Sequence, residues 1–498
     1  MTTRRLLIAT IFLCLFLGFF SLEKAEAKAA DMALNQAPAQ DKDEDAFYKN
    51  LYKDINMKEW NNRIRKEKFD VVLPLVMRKH KIDMWIHVMD IARHDSFGGE
   101  ELGSSSGVFV FTDRGGDRIE RAVLGRRWGT SQREDMVPNR LVEESGVYDI
   151  IADPVPVLEP VGGPMTEYDY RFKGLREFVV ERDPKRIAVN FLHDLGPWVT
   201  YTDFGGAEDG ISHTEYLLLT EELGTEYARR LVSSEYVWMD FITRTVPTEI
   251  QLLKKMREDE DRQIKKAFFK IVPGVTKAWD VGFTVFRRRG TGISQRGRTK
   301  GYENPVIQGG DIAAAPSQGT YAYVLRKGET EPPPEIKKLW AEYLKVDKIL
   351  VSTIKAGLTP REIIRNYTKK FEEAGIIVRD NQMHMVTPKN NFPAYSAGFD
   401  PTKTEISVDC HGMKKGALER KDENYFGPRV GSLGPDWSKS IPLPPDHHFV
   451  LEYFFYMPAP SKEYEDQYLF WWDHEQAIAT SSGVEYLSPL PKELYLIH

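Results

Sequence analysis

The sequence predicts an α/β (α+β) chain with more than one domain, and three observations carry that prediction. Short apolar, strand-like runs alternate with helical stretches through the first half. A long charged segment with apolar residues at helical spacing, residues 246–271, closes that half. The length, 498 residues, exceeds an average domain of about 100–200 residues. Hydrophobic residues at 41% and charged residues at 29% suit a packed core and exclude a disordered or fibrous chain. A formal net charge of −6 gives no general nucleic-acid-binding character. Two cysteines exclude a disulfide scaffold and a zinc-finger array.

Taken in order, the chain opens with Arg4 and Arg5, an apolar run over residues 6–22, and small residues Ala25, Ala27 and Ala29. Basic end, hydrophobic middle and A-x-A-like site predict a secretory signal peptide over residues 1–29. The run is short for a membrane span of about 20 residues. An exported (periplasmic or secreted) mature chain keeps only Cys410 and so holds no internal disulfide. Residues 30–45, rich in Ala, Gln and Asp, read as a flexible lead-in. Residues 57–68 look helical, and 71–88 combine a helix with a buried strand. GVFVFTD (107–113) and ERAVLG (120–125) are short β runs around the turn RGGD, and DPKRIAVN (183–190) is another strand. Helix resumes from Thr214. A boundary near residues 240–247 divides 46–243 from 244–498. Residues 341–375 read as two helices, and Thr359-Pro360 with Glu362 three positions on marks a helix start.

Several phrases, in order, resemble the creatinase/aminopeptidase P/prolidase family of "pita-bread" metallopeptidases. They are KHKIDMWI (79–86), RTVPTEIQLLKK (244–255), PGVT (273–276), IQGGD (307–311), IKAGLTPREI (354–363), FVLEYFFYMP (449–458) and ATSSGVEYLSPLPKEL (479–494). DGISHTEY (209–216), YAYVLRKGE (321–329) and FGPRVG (426–431) are similar to a divergent exported bacterial branch. The resemblance covers about residues 60–495. It implies a creatinase-type N-terminal domain followed by a C-terminal pita-bread fold. It also implies two divalent metals on two Asp, one His and two Glu, which lower the pKa of a shared water and clamp the carbonyl oxygen.

Carried over position by position, that ligand set is incomplete here. Counting from Asp311, the first Asp position falls on Pro316 and the second on Tyr323, or in a deletion if Gln318 is the anchor. No aspartate occurs from Ile312 through Glu329. The family's His ligand maps to His411, and Asn424 stands near the place of its second histidine. Glu452 retains the first Glu. The last Glu position falls on His474, with Glu475 beside it. Glu452 lies in a strongly apolar strand, where a lone carboxylate is costly without a partner. His411, Glu452, His474 and Glu475 are therefore the candidate catalytic residues. No metal is expected; a single Zn²⁺ or Mn²⁺ on this mixed N/O set is the alternative.

Other candidates follow from composition. FRRRGTGISQRGRTKG (286–301) holds Arg287, Arg289 and Arg296 without an acid and reads as a basic loop, either solvated or capturing an anion. His213 is a second ligand-binding candidate, and His193, Asp194 and Trp198 lie in a loop-like insertion. Cys410 and His411 are strand neighbours and should point to opposite faces, which argues against a Cys/His nucleophile. No phosphate loop is present. The expected function is an exported aminopeptidase P-like protein with a degenerate dinuclear site, a pseudoenzyme or ligand-binding protein. The alternatives are a divergent metallopeptidase (X-Pro aminopeptidase or dipeptidase) and a metal-free creatinase-like hydrolase or lyase. The expected partner is a peptide or small anionic ligand, with no nucleic acid and no integral membrane domain; the family also implies a homodimer.

Overall fold

A computed structural model describes residues 51–89, 99–103, 107–125, 145–152, 171–195, 200–201, 210–278, 281, 284–286, 306–314, 320–379, 402–413, 425–431, 436–458, 468–491 and 493–498. The signal peptide, the lead-in, and Arg287, Arg289 and Arg296 lie outside these residues. Among the described residues no helix is long and apolar enough to cross a membrane.

Helix α1 (Met57–Glu67) begins where the Asn56 side chain accepts the Glu59 N–H, satisfying one of the orphan donors of the first turn. It runs through a π-helical turn, Lys68–Val72, into α2 (Leu73–Lys79). The strands that follow are β1 (Met84–Met89), β2 (Gly107–Asp113), β3 (Ile119–Leu124), β4 (Ile150–Ile151), β5 (Ile187–Val189), β6 (Thr200–Tyr201) and β7 (Leu231–Ser233). All but β6 form one mixed sheet in the order β4-β3-β2-β1-β5-β7. β1 is buried along its whole length because the sheet is covered on both faces. One face packs Trp85, Phe109 and Phe111 against Phe69, Trp238 and Phe241, the last two from α5 (Glu235–Ile242). The other packs Ile86 and Val110 against α3 (Leu175–Arg182) and α4 (His213–Ala228).

Helix α6 (Pro247–Phe268) serves more than one core. Leu252 and Met256 join the Trp85 cluster, Leu253 packs on Ile478 and Leu487, and Ile264 and Phe268 reach a small sheet. That sheet has the order β17-β10-β9-β8, from β8 (Thr284–Phe286), β9 (Ile312–Ala314), β10 (Tyr321–Val324) and β17 (Tyr495–Ile497). Helices α7 (Pro334–Thr353) and α8 (Pro360–Glu373) follow, and Thr359 and Glu362 form the reciprocal capping box expected at the start of α8.

The third sheet positions the site. Its order is β16-β15-β14-β12-β13-β6, from β12 (Glu405–Met413), β13 (Tyr425–Gly431), β14 (His447–Pro458), β15 (Tyr468–Ala479) and β16 (Val484–Tyr486), with β11 (Ile377–Val378) also paired to β12. One strand of the chain's first half, β6, thus pairs with β13 of its second. The core behind this sheet unites Tyr343 and Leu350 of α7, Ile363 and Phe371 of α8, and Val408, Leu451, Tyr453 and Ala477. Each large side chain fully buried there contributes about 1.5–3 kcal/mol of transfer free energy.

Candidate functional site

Alternation along three neighbouring strands builds the site. β14 and β15 run antiparallel without a break in register, and Glu452 stands directly opposite His474. β12 pairs on the other side of β14, with His411 opposite Val450. Side chains two apart on a strand share a face, so His411, Glu452 and His474 are presented together. All three are buried.

Their donor atoms converge. His411 Nε2 lies 3.3 Å from Glu452 Oε2. One ligand atom from each of His411, Glu452 and His474 falls within 4.8 Å of the others. The two imidazole rings are tilted at 54° with centroids 5.7 Å apart. The contact to Glu452 is longer than the ~2.7–2.9 Å of a charge-assisted hydrogen bond. It matches the edge of a tetrahedron about a Zn²⁺ ion, about 3.3 Å for ligands held at ~2.0–2.1 Å. The set therefore fits one divalent ion.

Among the described residues this group has three members and no further carboxylate. Tyr323, the described one of the two positions where the resemblance expects an aspartate, is buried in β10, and its hydroxyl donates to Glu329 Oε2 at 3.0 Å. Pro316, Gln318 and Asn424 lie outside the described residues. Among the described residues no carboxylate of β9 or β10 joins the group.

The strand pleat separates His474 from Glu475. Asp473 and Glu475 flank His474 and point to the opposite face. Glu475 Oε2 accepts from Arg257 Nη2 of α6 at 3.0 Å, so it lies apart from the His411 group. Burial raises the Glu475 carboxyl well above its ordinary range even beside this guanidinium. Burial also works against the Arg257 charge, but the carboxylates of Glu475, Asp261 and Glu260 together raise it. Asp473 Oδ2 accepts from the hydroxyls of Tyr343 at 2.6 Å and Tyr453 at 2.8 Å, while Oδ1 accepts the His474 N–H at 3.0 Å. Burial pushes Asp473 up although these donors favour its charged form. Asp473 thus ties the backbone at His474 to α7.

The same row of β12 carries Asp409, two residues before His411. Arg429 forks onto it, Nε to Oδ1 at 2.5 Å and Nη2 to Oδ2, in a buried pair. Arg429 sits where the β12–β13 register shifts between Cys410 and Gly412. Gly427 opens that irregularity at φ +78°, and a Cβ there would meet Thr243 Cγ2 at 2.5 Å. The phrase FGPRVG marks this segment in the sequence, but no local pattern identifies Asp409 as the partner of Arg429. Further along the face, His448 Nε2 lies 3.2 Å from Gln476 Oε1.

Other sequence candidates fall elsewhere. Cys410 packs in the core behind the sheet, its thiol directed to the Glu452 carbonyl at 3.6 Å, and burial raises it well above the ordinary thiol range. His213 is exposed at the first position of α4, just after its capping residue Ser212, and is outside the buried group. His193 and Asp194 form a second cluster with Glu235. There the Glu235 carboxylate accepts the backbone N–H groups of His193, Asp194 and Leu195 at 3.0, 2.7 and 3.1 Å, so it anchors the loop.

No protein-family model matches the sequence. No curated protein matches it either. Solved structures similar to the chain include the X-Pro aminopeptidase from Thermotoga maritima MSB8, 14% identical, TM-score 0.48, covering 85% of this chain and 100% of that one. The Xaa-Pro dipeptidase from Bacillus anthracis is 15% identical, with a TM-score of 0.45 over 87% of this chain and 99% of that one. The prolidase from Pyrococcus horikoshii OT3 is 14% identical, with a TM-score of 0.42 over 86% and 99%.

Proposed function

We propose that this chain is an exported aminopeptidase P-like protein that has left two-metal peptide hydrolysis and keeps its inherited site for binding a peptide or small anionic ligand. The observation that carries the reading is the donor set. Two histidines and one glutamate converge, and no aspartate from residues 312–329 is available to compensate a second cation. Two divalent ions about 3.5–4 Å apart repel strongly unless bridging carboxylates neutralise them. His411, Glu452 and His474 would hold one ion, which when bound supplies Lewis acidity toward a carbonyl or anionic oxygen. Around it, Asp473 fixes the strand at His474, and the Asp409–Arg429 pair sets the neighbouring end of β12.

A second reading, a divergent one-metal peptidase, is favoured by the fit of the His411–Glu452 distance to a metal-ligand edge. Peptide assays separate the two. The purified chain is incubated with X-Pro dipeptides and tripeptides and with added Mn²⁺, Co²⁺ or Zn²⁺, and binding of the same peptides is followed by thermal shift. The binding reading expects stabilisation without cleavage above blank. Metal-dependent turnover abolished by Glu452→Ala would replace it with the peptidase reading.

A further inference from the structure

We propose that the end of α6 and the turn after it form a docking surface for an anionic lipid membrane. Phe269, Val272 and Val275 are 83%, 54% and 70% exposed, and Phe269 and Val275 are the most exposed large apolar side chains among the described residues. Solvent-facing apolar groups are ordinary when scattered singly, but here three stand within seven residues of one helix end and turn. The group is held rigidly. Phe268 and Ile271, between and beside its members, are buried with Ala278, Ile307 and Val324. The Val272 carbonyl accepts the N–H groups of Val275 and Thr276, both at 3.0 Å, and the Val272 N–H donates to Thr276 Oγ1 at 2.9 Å. The Gly274 N–H donates to the Ile307 carbonyl at 2.7 Å, and the Ile307 N–H to the Thr276 carbonyl at 2.8 Å. Gly274 takes φ +83°, a left-handed conformation that glycine adopts without strain.

Charge selects the occupant. Lys265, Lys266, Lys270 and Lys277 surround these apolar residues in sequence and are all exposed. None is ion-paired with a described residue; Lys265 lies over the Tyr495 ring at 5.6 Å. Exposed apolar side chains interspersed with exposed lysines match a bilayer interface with anionic headgroups, where the apolar groups enter the acyl boundary and the ammonium groups meet phosphates. A second copy of the chain in a two-fold contact fits poorly, since its own lysines would face these. A peptide groove fits poorly as well, because side chains this exposed stand proud of the surface.

The test is flotation of the full chain with phosphatidylcholine vesicles containing about one part in four phosphatidylglycerol, against phosphatidylcholine alone. The apolar run at residues 6–22 can itself enter bilayers, so the readout is the change on substitution. Phe269→Ser/Val275→Ser and Lys266→Glu/Lys270→Glu should each lower binding to the anionic vesicles about tenfold with an unchanged melting temperature. Raising salt from about 0.1 M to about 1 M should weaken the parent chain and not the lysine variant, as screening shortens. Binding that is equal on both vesicle types, or the same in the parent and both variants, would overturn the proposal. So would a dimer in light scattering that the Phe269→Ser/Val275→Ser variant dissociates, which would make a second copy the occupant.

Discussion

Glu452 and His474 face each other across the β14–β15 ladder, and His411 on β12 brings its Nε2 to 3.3 Å from the Glu452 carboxylate. Three strands within residues 405–479 thus deliver two nitrogens and one oxygen to one point. Such a donor set is richer in nitrogen than one built from carboxylates, and imidazole suits Zn²⁺ where carboxylate suits Mn²⁺. The parent chain should therefore bind Zn²⁺ in preference to Mn²⁺ in competition titrations. His474→Glu should shift the preference toward Mn²⁺, and His411→Ala should weaken Zn²⁺ at least tenfold. An unchanged preference in His474→Glu would remove His474 from the site.

Asp473 is the tie between β15 and α7. Asp473→Ala leaves the hydroxyls of Tyr343 and Tyr453 buried without their acceptor, at a cost of about 3 kcal/mol. Tyr343→Phe removes one donor and should cost about 1 kcal/mol. Urea unfolding measures both, and near-neutral values for Asp473→Ala would show that the network carries no stability.

Arg257 holds its charge in the interior against Glu475 and Glu260. Arg257→Met should destabilise the chain by about 3–5 kcal/mol, because it strands buried carboxylates. Arg257→Met with Glu475→Met should recover much of that loss. A double variant as unstable as the single one would mean that packing, not charge, sets the cost.

The buried His447 and His448 and the half-buried Asp347 give opposite pH dependences. Burial lowers His447 to about 4 and His448 to about 3, from 6.5. The unfolded chain then binds more protons, so their contribution is complete above about pH 6.5 and is lost as pH falls toward 4 and 3. His447 Nδ1 faces the Thr243 carbonyl, and His448 faces His447 and Gln476. Asp347 behaves oppositely: burial, with Asp473 nearby and against the Tyr486 hydroxyl, raises it to about 7. Its contribution is complete below about pH 4 and is lost as pH rises through 7. Denaturant melts across pH 3–8 should show a shallower acid-side decline in His447→Gln/His448→Gln and a shallower neutral-side decline in Asp347→Asn. Unchanged slopes would contradict both assignments.

Local patterns made much of the framework readable. The β2–β3 hairpin follows from two apolar runs around RGGD, and the start of α8 from Thr359 and Glu362, because each signal lies within a few residues. His411 and Glu452 were legible through the phrases around them. The choice between His474 and Glu475 was not, since adjacent strand residues differ only in face, and the β14–β15 register decides the face. Arg257–Glu475 and Tyr343–Asp473 left no trace in the sequence: partners 218 and 130 residues apart share no periodicity. Strand β6, two residues long, was likewise invisible before its pairing with β13.

The most direct measurement is the stoichiometry of divalent metal in the purified chain, by elemental analysis after saturation with Zn²⁺ or Mn²⁺. A site built on His411, Glu452 and His474 predicts one ion per chain, lost in the triple alanine variant, and no cleavage of X-Pro peptides at any metal concentration. Two ions per chain, with X-Pro turnover that Glu452→Ala abolishes, would contradict the account.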